Sequence, residues 1–143
     1  MPLDLLVAGF LCGTLLVVAL SILWSTLKTG ISPMPSSSKA THKILSLAGQ
    51  TTPATVYELG AGFGTLAVPL AKRFPEANVI SYELSWFPWC IASLRASLAG
   101  LHNLSVQRAD FLSADLSDAD LLVTYLYPGA MHALAHKLEG QPS

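Results

Sequence analysis

Three carboxylates stand at or near the ends of segments that resemble buried β-strands. Glu58 follows a short β-branched and aromatic run, and Glu83 lies near the end of the predicted strand Asn78–Leu84. Asp110 follows the predicted strand Leu104–Ala109. Parallel strands bring their carboxyl ends to one edge of a sheet, where a carboxylate accepts hydrogen bonds from the hydroxyls of a ribose. We therefore expect these acids to surround one ligand crevice, although each could also be a solvated carboxylate at a strand end.

Glycines follow Glu58 with a spacing that distinguishes between nucleotide-type ligands. Gly60, Gly62 and Gly64 form the pattern E-x-G-x-G-x-G. A dinucleotide fingerprint, G-x-G-x-x-G, would need its third glycine at the position of Thr65. Glycine permits backbone angles and a close approach that a Cβ atom would block. The turn can be purely structural, but it also predicts a site for a nucleotide-type ligand other than a dinucleotide.

The elements that must position these residues alternate between strands and helices. This alternation predicts an α/β fold with a parallel sheet. Helices are expected at 65–74, 86–99 and 130–138, and strands at 55–57, 78–84, 104–109 and 119–126. A serine among residues 36–38 is expected to cap one more helix, which ends at Ala48.

The N-terminal segment has the composition of a membrane anchor. Leu5–Trp24 carries no charge, and as a helix it would cross the roughly 30 Å core of a bilayer. A cleaved signal peptide is the alternative, with a small-residue site at Ala19–Ser21. No Lys or Arg precedes the run, however, and Ile22–Trp24 continues it past that site. An uncleaved anchor is therefore favoured.

The charges around this segment predict its orientation and its partners. Lys28, Lys39 and Lys43 all follow it, so the positive-inside rule places the C-terminal domain in the cytoplasm. Gly9 and Gly13 form a G-x-x-x-G pattern that would let two anchors pack as a homodimer. The net charge of −1 argues against a protein that binds nucleic acid by neutralising phosphates.

Cysteine and histidine residues give weaker signals. Cys12 and Cys90 lie in different predicted helices and are most simply small buried hydrophobic residues, which fits a reducing compartment. His132 and His136 have the i, i+4 spacing of metal ligands, but no glutamate lies between them. No metal site is expected.

The predicted helix after Glu83 begins with aromatic residues. Ser85 is expected to cap this helix, and Trp86, Phe87 and Trp89 occupy its first turn. Packing against the sheet is the first interpretation. One ring could instead border an adenine pocket, or Trp86 and Phe87 could touch a lipid interface.

These stretches together resemble the class I S-adenosylmethionine (SAM) methyltransferases. YELGAGFG resembles motif I of that superfamily, SYEL with Glu83 resembles the acid after it, and the AD at Asp110 resembles its adenine-contacting acid. The membrane segment, the PMPSSS stretch, the aromatic helix and YLYPGAM narrow the resemblance. They are similar to membrane-anchored protein-lysine methyltransferases related to the ATP synthase c-subunit lysine methyltransferase, over about residues 30–139.

The resemblance implies roles for particular residues. Glu83 would hold the ribose, Asp110 and Phe111 the adenine, and Glu58 would fix the turn and reach the methionine moiety. Tyr125 and Tyr127 would line the acceptor side as the catalytic candidates, with no convincing general base. The cofactor-binding residues would be Glu58, Gly60, Ala61, Gly62, Gly64, Glu83, Leu84, Asp110 and Phe111.

The implied activity is methyl transfer from SAM to a lysine of a membrane-associated protein. The alternatives are an NAD(P)-binding Rossmann oxidoreductase, disfavoured by Thr65, and a non-catalytic, membrane-tethered methyltransferase fragment. The implied fold is the Rossmann-like class I sheet in the order 3-2-1-4, apparently truncated because that fold has seven strands. The expected organisation is an anchor at 1–28, a linker at 29–38 and a partial SAM-binding domain at 39–143.

Overall fold

Four parallel strands form the centre of the protein in a computed structural model, which describes residues 2–29, 37–126 and 128–140. Their order is β3-β2-β1-β4, which confirms the predicted α/β sheet. The strands are β1 Thr55–Leu59, β2 Asn78–Glu83, β3 Leu104–Arg108 and β4 Leu121–Thr124. The helices are α1 Leu3–Thr29, α2 Ser38–Ala48, α3 Ala67–Arg73, α4 Trp86–Ala99 and α5 Pro128–Glu139.

The sheet buries a different hydrophobic cluster on each face, because side chains alternate along each strand. On one face, Val56, Val79 and Val123 pack with Leu70 of α3 and Ala48 of α2. The other face carries Tyr57, Leu59, Tyr82, Phe111, Leu116 and Leu134. The two clusters hold the strands at a fixed register, so the carboxyl ends of β1 and β2 stay adjacent.

Two strand boundaries correct the prediction. β1 continues through Glu58 to Leu59, because Glu58 pairs with Ser81 of β2 and with Val123 of β4. β4 ends at Thr124 rather than at residue 126, because Thr124 pairs with Leu59, the last residue of β1. Beyond that point β1 turns away into the glycines and offers β4 no further partner.

The helix signals in the sequence are largely confirmed. Ser37 caps α2 by accepting a hydrogen bond from the N–H of Ala40, at 3.2 Å. α4 has the predicted bounds, and Gly100 ends it in the left-handed conformation, with φ of 63°. The predicted cap at Ser85 is wrong, because the Ser85 side chain makes no capping hydrogen bond.

Three aspartates, Asp115, Asp118 and Asp120, lie in the loop before β4. Asp120 is exposed, yet its Oδ2 accepts hydrogen bonds from the N–H groups of Ala54 and Thr55, both at 2.9 Å. Asp118 accepts a hydrogen bond from the hydroxyl of Tyr57 at 2.9 Å. Both therefore fasten the loop before β4 to β1, whereas Asp115 accepts only a local bond from the N–H of Ser117.

α1 stands apart from the two clusters. Its segment Leu3–Trp24 is apolar and long enough to span a membrane, with a mean hydropathy of 2.6, and none of it is buried inside the protein. Cys12 is exposed on this helix and Cys90 is half-buried on α4, so the expectation of two buried cysteines is wrong for Cys12. Most of the predicted linker, 30–36, lies outside the described residues.

Candidate cofactor site

The turn after β1 depends on glycine at three positions. Gly60, Gly62 and Gly64 have φ values of 82°, 55° and 79°, a region that side chains with a Cβ atom rarely occupy. The N–H groups of Gly60 and Ala61 both donate to the carbonyl of Tyr82, at 3.0 and 2.8 Å. The turn is thus held against the end of β2, as expected for the rim of a crevice between neighbouring strands.

The turn also lies close to two other elements. A Cβ atom at Gly64 would stand 3.0 Å from the Cα atom of Ala92 in α4, and one at Gly60 would stand 2.9 Å from Leu126. The contact at Gly64 is with backbone, which has little freedom to yield. The third glycine therefore lets α4 pack against the turn.

Glu83 connects the turn to the start of α4. Its Oε2 accepts the N–H of Gly62 at 2.7 Å, and its Oε1 accepts the N–H of Ser85 at 2.8 Å. The side chain is buried, and burial raises the pKa of Glu83, while the hydrogen bonds from Ser85 and Gly62 lower it. Because a carboxylate has about four lone-pair sites, these two bonds leave capacity for ligand hydroxyls.

Glu58 has a different environment from the one expected. It is buried, and its Oε2 accepts the hydroxyl proton of Ser81 at 2.6 Å. Burial raises its pKa to about 7; the Ser81 hydrogen bond opposes this shift and the charge of Glu83 adds to it. Among the described residues, Glu83 bonds the glycine turn and Glu58 bonds Ser81 of β2; a contact of Glu58 with the methionine moiety stays a prediction.

The residues proposed for adenine differ in accessibility. Asp110 is half-buried, and its Oδ1 accepts the N–H of Leu112 at 2.9 Å, which shapes the loop after β3. Phe111 is buried in the hydrophobic cluster with Tyr57 and Leu134. The loop is tied to the rest of the site because the N–H of Ala109 donates to the carbonyl of Glu83 at 3.2 Å. Phe111 serves the core, and a stacking role for its ring remains a prediction.

The remaining candidates lie around the same edge. Ala61 is buried in the turn, Leu84 is half-buried directly after Glu83, and Tyr125 is exposed just beyond β4. Tyr127, the second catalytic candidate, lies outside the described residues. The structure thus brings the glycine turn, Glu83 and the Asp110 loop together, while catalytic roles for the two tyrosines remain predictions.

The first turn of α4 contradicts the expectation of core packing for two of its rings. Trp86 and Phe87 are exposed, and only Trp89 among the three reaches the sheet, where its Nε1 donates to the carbonyl of Val106 at 3.1 Å. Trp86 packs edge-on against Trp89, and Phe87 edge-on against Phe63 of the glycine turn.

Sequence reasoning missed two serines of the site. Ser81 bonds Glu58, and the Oγ atom of Ser85 is buried with no partner in the described part of the chain. A polar residue inside a buried strand needs a partner, which singles out Ser81, but the identity of that partner depends on the register of β2 against β1. No sequence signal separates the free hydroxyl of Ser85 from that of an ordinary capping serine.

This arrangement fits a nucleoside ligand without phosphates. Glu83 and Asp110 offer hydrogen-bond acceptors at the edge of the crevice. The N–H groups of the glycine turn, in contrast, already donate to other groups of the protein. A ribose needs acceptors for its two hydroxyls, which a carboxylate supplies. A dinucleotide pyrophosphate would need free N–H donors, and those of Gly60, Ala61, Gly62 and Gly64 are already bonded.

Comparisons with known proteins agree with this chemistry. The sequence pattern of the family described as ANTKMT methyltransferase domain matches residues 58–142, more than half of the 143-residue chain. A protein-lysine N-methyltransferase of Saccharolobus islandicus (strain REY15A) is 24% identical over 112 residues. That alignment covers 74% of this chain and 66% of the relative.

Solved structures have the same fold. An RNA methyltransferase from Salinibacter ruber, in complex with S-adenosyl-L-homocysteine, is 25% identical with a TM-score of 0.69, over 77% of this chain and 72% of that one. A dimethyladenosine transferase from Plasmodium falciparum is 21% identical with a TM-score of 0.65, over 76% and 38%. The predicted class I methyltransferase superfamily, the fold and SAM as the cofactor are thereby confirmed.

Proposed function

We propose that this chain, which belongs to the ANTKMT methyltransferase domain family, methylates a lysine side chain of a membrane-associated protein. The observation that carries its SAM-binding part is the Glu83 carboxylate, held at the end of β2 against the glycine turn. The relative from Saccharolobus islandicus, whose description is protein-lysine N-methyltransferase, supports lysine as the acceptor.

The protein needs to form no covalent bond with either reactant. SAM supplies an activated methyl group, which a neutral amine takes up as the carbon–sulfur bond breaks and its electron pair stays on sulfur. The protein must orient the two reactants and exclude water. It must also receive a lysine that has lost its proton to solvent, because an ammonium group has no lone pair with which to attack.

Particular residues would hold the cofactor. Glu83 would accept the ribose hydroxyls on the lone pairs that its two backbone bonds leave free. The bare backbone of the glycine turn would lie against the methionine part, and Asp110 would accept from the adenine amino group. Tyr125, exposed beyond β4, would line the acceptor side with Tyr127.

The anchor favours acceptors near the bilayer. We take residues 1–28 as the anchor and 39–143 as the catalytic domain, and α1 has the length and composition of a membrane span. Residues 30–36 can extend over at most about 25 Å. Lysines just outside a membrane helix would thus be presented at a high effective concentration.

Orientation and oligomeric state follow as finer parts of the proposal. The lysines after the segment support a cytoplasmic catalytic domain by the positive-inside rule. Gly9 and Gly13 have open space where a Cβ atom would stand, which is compatible with the close packing of two anchors.

The test compares lysine methylation in membrane proteins from cells with and without the gene. We expect methyl-lysine marks on membrane proteins to disappear with the gene and to return with the wild-type chain. Glu83→Ala should fail to restore them, while Glu76→Ala, which removes an exposed carboxylate before β2, should succeed. Lost marks on soluble proteins would contradict the membrane acceptor, and unchanged lysine methylation would contradict the lysine acceptor.

An RNA acceptor is the second candidate, because the Salinibacter ruber relative is an RNA methyltransferase. The net charge of −1 argues against it, since RNA binding relies on neutralising phosphates. Loss of methyl groups from RNA in the same comparison would favour it.

A further inference from the structure

A groove of about 790 Å³ lies between the end of α1 and the start of α4. Leu20, Leu23, Trp24 and Leu27 of α1 line it together with Trp86 of α4. Trp24 and Trp86 are 71% and 56% exposed. We call this surface the α1–α4 groove. Two exposed indole rings beside an apolar helix form an apolar surface patch, and such patches commonly bind a partner or a membrane.

The position of the groove along α1 indicates the kind of environment. Trp24 is the last residue of the apolar segment Leu3–Trp24, so a bilayer around that segment would place Trp24 at its interface. Leu27 lies one turn beyond. Tryptophan collects at this level of a membrane, where the ring is partly in hydrocarbon and partly in the headgroups. Trp86 shares the groove with Trp24 and also with Val17 and Leu20, up to two turns earlier in α1, so it lies at the interface or on its hydrocarbon side.

A cation stands beside Trp86. The guanidinium of Arg108, at the end of β3, lies 5.5 Å from the centre of the Trp86 ring. Arg108 is exposed, and arginine binds phosphate through paired donors in a plane. This pair is complementary to a lipid: the indole would contact the acyl chain, and the arginine would bind the phosphate of the headgroup.

The side chain of Trp86 is held on the surface by its contact with Trp89. Its ring packs edge-on on that of Trp89, with 5.5 Å between the centroids, and Trp89 is fastened to β3 through the carbonyl of Val106. The exposure of Trp86 is therefore a fixed feature of α4.

We propose that the α1–α4 groove binds membrane lipid, with Trp86 in the interface and Arg108 on a lipid phosphate, and so fixes the domain against the bilayer. This rests on the proposed function only in taking α1 as a membrane span. Glu83 lies three residues before Trp86, the first residue of α4, so docking holds the cofactor edge at the membrane surface. The docked domain can then reach lysines at the membrane surface without moving far from it.

The test uses the full chain in phosphatidylcholine vesicles that contain phosphatidylglycerol and lipids with brominated acyl chains, which quench tryptophan on contact. The double variant W24F/W89F leaves Trp86 as the sole tryptophan of three. Phenylalanine at position 89 keeps a ring against Trp86, although it loses the bond to Val106. We expect brominated lipid to remove about half of its emission or more, as for an interfacial indole.

The control moves the tryptophan to the far end of the same helix. Leu98 is 79% exposed near the end of α4, and the variant W24F/W86F/W89F/L98W should be quenched far less. Equal quenching at both positions, or none at Trp86, would overturn the proposal. S-adenosylhomocysteine binding by the same samples reports on folding and on the proposed function separately, because the quenching needs no methyl transfer.

A second arm tests the phosphate contact. In W24F/W89F, quenching of Trp86 should rise as phosphatidylglycerol replaces phosphatidylcholine, because the added negative charge attracts Arg108. Adding Arg108→Gln should abolish most of this rise. A rise of the same size in both variants would overturn the assignment of Arg108 to a lipid phosphate.

Discussion

Glu83 and Glu58 are buried carboxylates on neighbouring strands, and their partners divide their roles. Glu83 accepts two backbone N–H groups at the crevice edge, and Glu58 accepts one serine hydroxyl from β2. The charge of Glu83 raises the pKa of Glu58 after burial has raised it already. The carboxylate nearer the ligand is thus the better hydrogen-bonded of the two, which suits a group that must remain charged.

Removing the Glu83 carboxylate should weaken the cofactor site. In Glu83→Ala, we expect binding of S-adenosylhomocysteine to weaken by about 1.5–3 kcal/mol, the usual contribution of hydrogen bonds to a charged group. Calorimetric titration measures it. Because Glu83 also bonds Gly62 and Ser85, the unfolding free energy of the variant must be measured beside it. Unchanged affinity would reduce Glu83 to a structural residue, and Glu76→Ala should bind as the wild type does.

The raised pKa of Glu58 makes the stability of the protein depend on pH. Below about pH 4.5, the usual value for a glutamate, the carboxyl is protonated in both the folded and unfolded states, and its contribution to stability is complete. As the pH rises toward 7, the unfolded chain ionises first, so the folded state loses up to roughly 3 kcal/mol.

Glu58→Gln should remove this pH dependence and keep a partner for Ser81. Urea unfolding of the full chain in detergent at pH 4.5 and pH 8 measures the difference for the variant and the wild type. The loss on raising the pH should be smaller in the variant, although some remains because the pKa of Glu83 is also raised. An identical loss in both proteins would contradict the account of Glu58.

At the residue scale, the sequence predicted which residues meet but not all of their roles. Glycine spacing and an acid after the second strand are consequences of backbone chemistry, and both are where they were expected. The partner of Glu58 depends on strand register, which sets it beside Ser81. Register follows from packing across the whole sheet, and short-range patterns carry little of it.

The packing of elements around the glycine turn depends on how closely α4 approaches it. Gly64 and Gly100 both have positive φ, at 79° and 63°, but a Cβ atom at Gly64 meets the backbone of Ala92 and one at Gly100 meets nothing within 4 Å. The pair therefore separates the cost of the backbone angle from the cost of the close approach.

Gly64→Ala should destabilise the protein more than Gly100→Ala. A left-handed angle costs an alanine about 1–2 kcal/mol at either site, and overpacking against Ala92 adds about 1–3 kcal/mol at Gly64. Denaturant unfolding of the two variants gives the comparison. Equal losses would mean that α4 moves away from the turn without cost, and that the third glycine is needed only for its angle.

At the element scale, helices with a cap and a terminal glycine were predicted best. α4 ends at the predicted Gly100, because a left-handed glycine decides that end within one turn of the chain. It begins directly after Ser85, although the Ser85 side chain makes no capping hydrogen bond. β4 was predicted too long, because the number of its residues that pair depends on where β1 ends. The exposure of Trp86 could not be predicted from the sequence either, because an aromatic residue in the first turn of a helix can lie in the core or on the surface.

At the scale of the whole molecule, an unburied apolar helix precedes the methyltransferase domain. We predict that the protein stays in the membrane fraction after an alkaline carbonate wash, and that a reporter fused after Ser143 is cytoplasmic. Protease protection of the reporter in sealed membranes measures the orientation. A soluble chain beginning near Ile22 would show that the segment is a cleaved signal, and a reporter on the opposite side would contradict the positive-inside prediction.

Transfer of labelled methyl groups from SAM to lysine measures the proposed activity itself. The purified full chain is incubated in vesicles with membrane proteins from cells that lack the gene, and the protein fraction is hydrolysed to amino acids. We expect the label to be recovered as methyl-lysine, Glu83→Ala to abolish most of it, and Glu76→Ala to leave it unchanged. Label recovered only in RNA or lipid, or no transfer by a chain that binds S-adenosylhomocysteine, would contradict it.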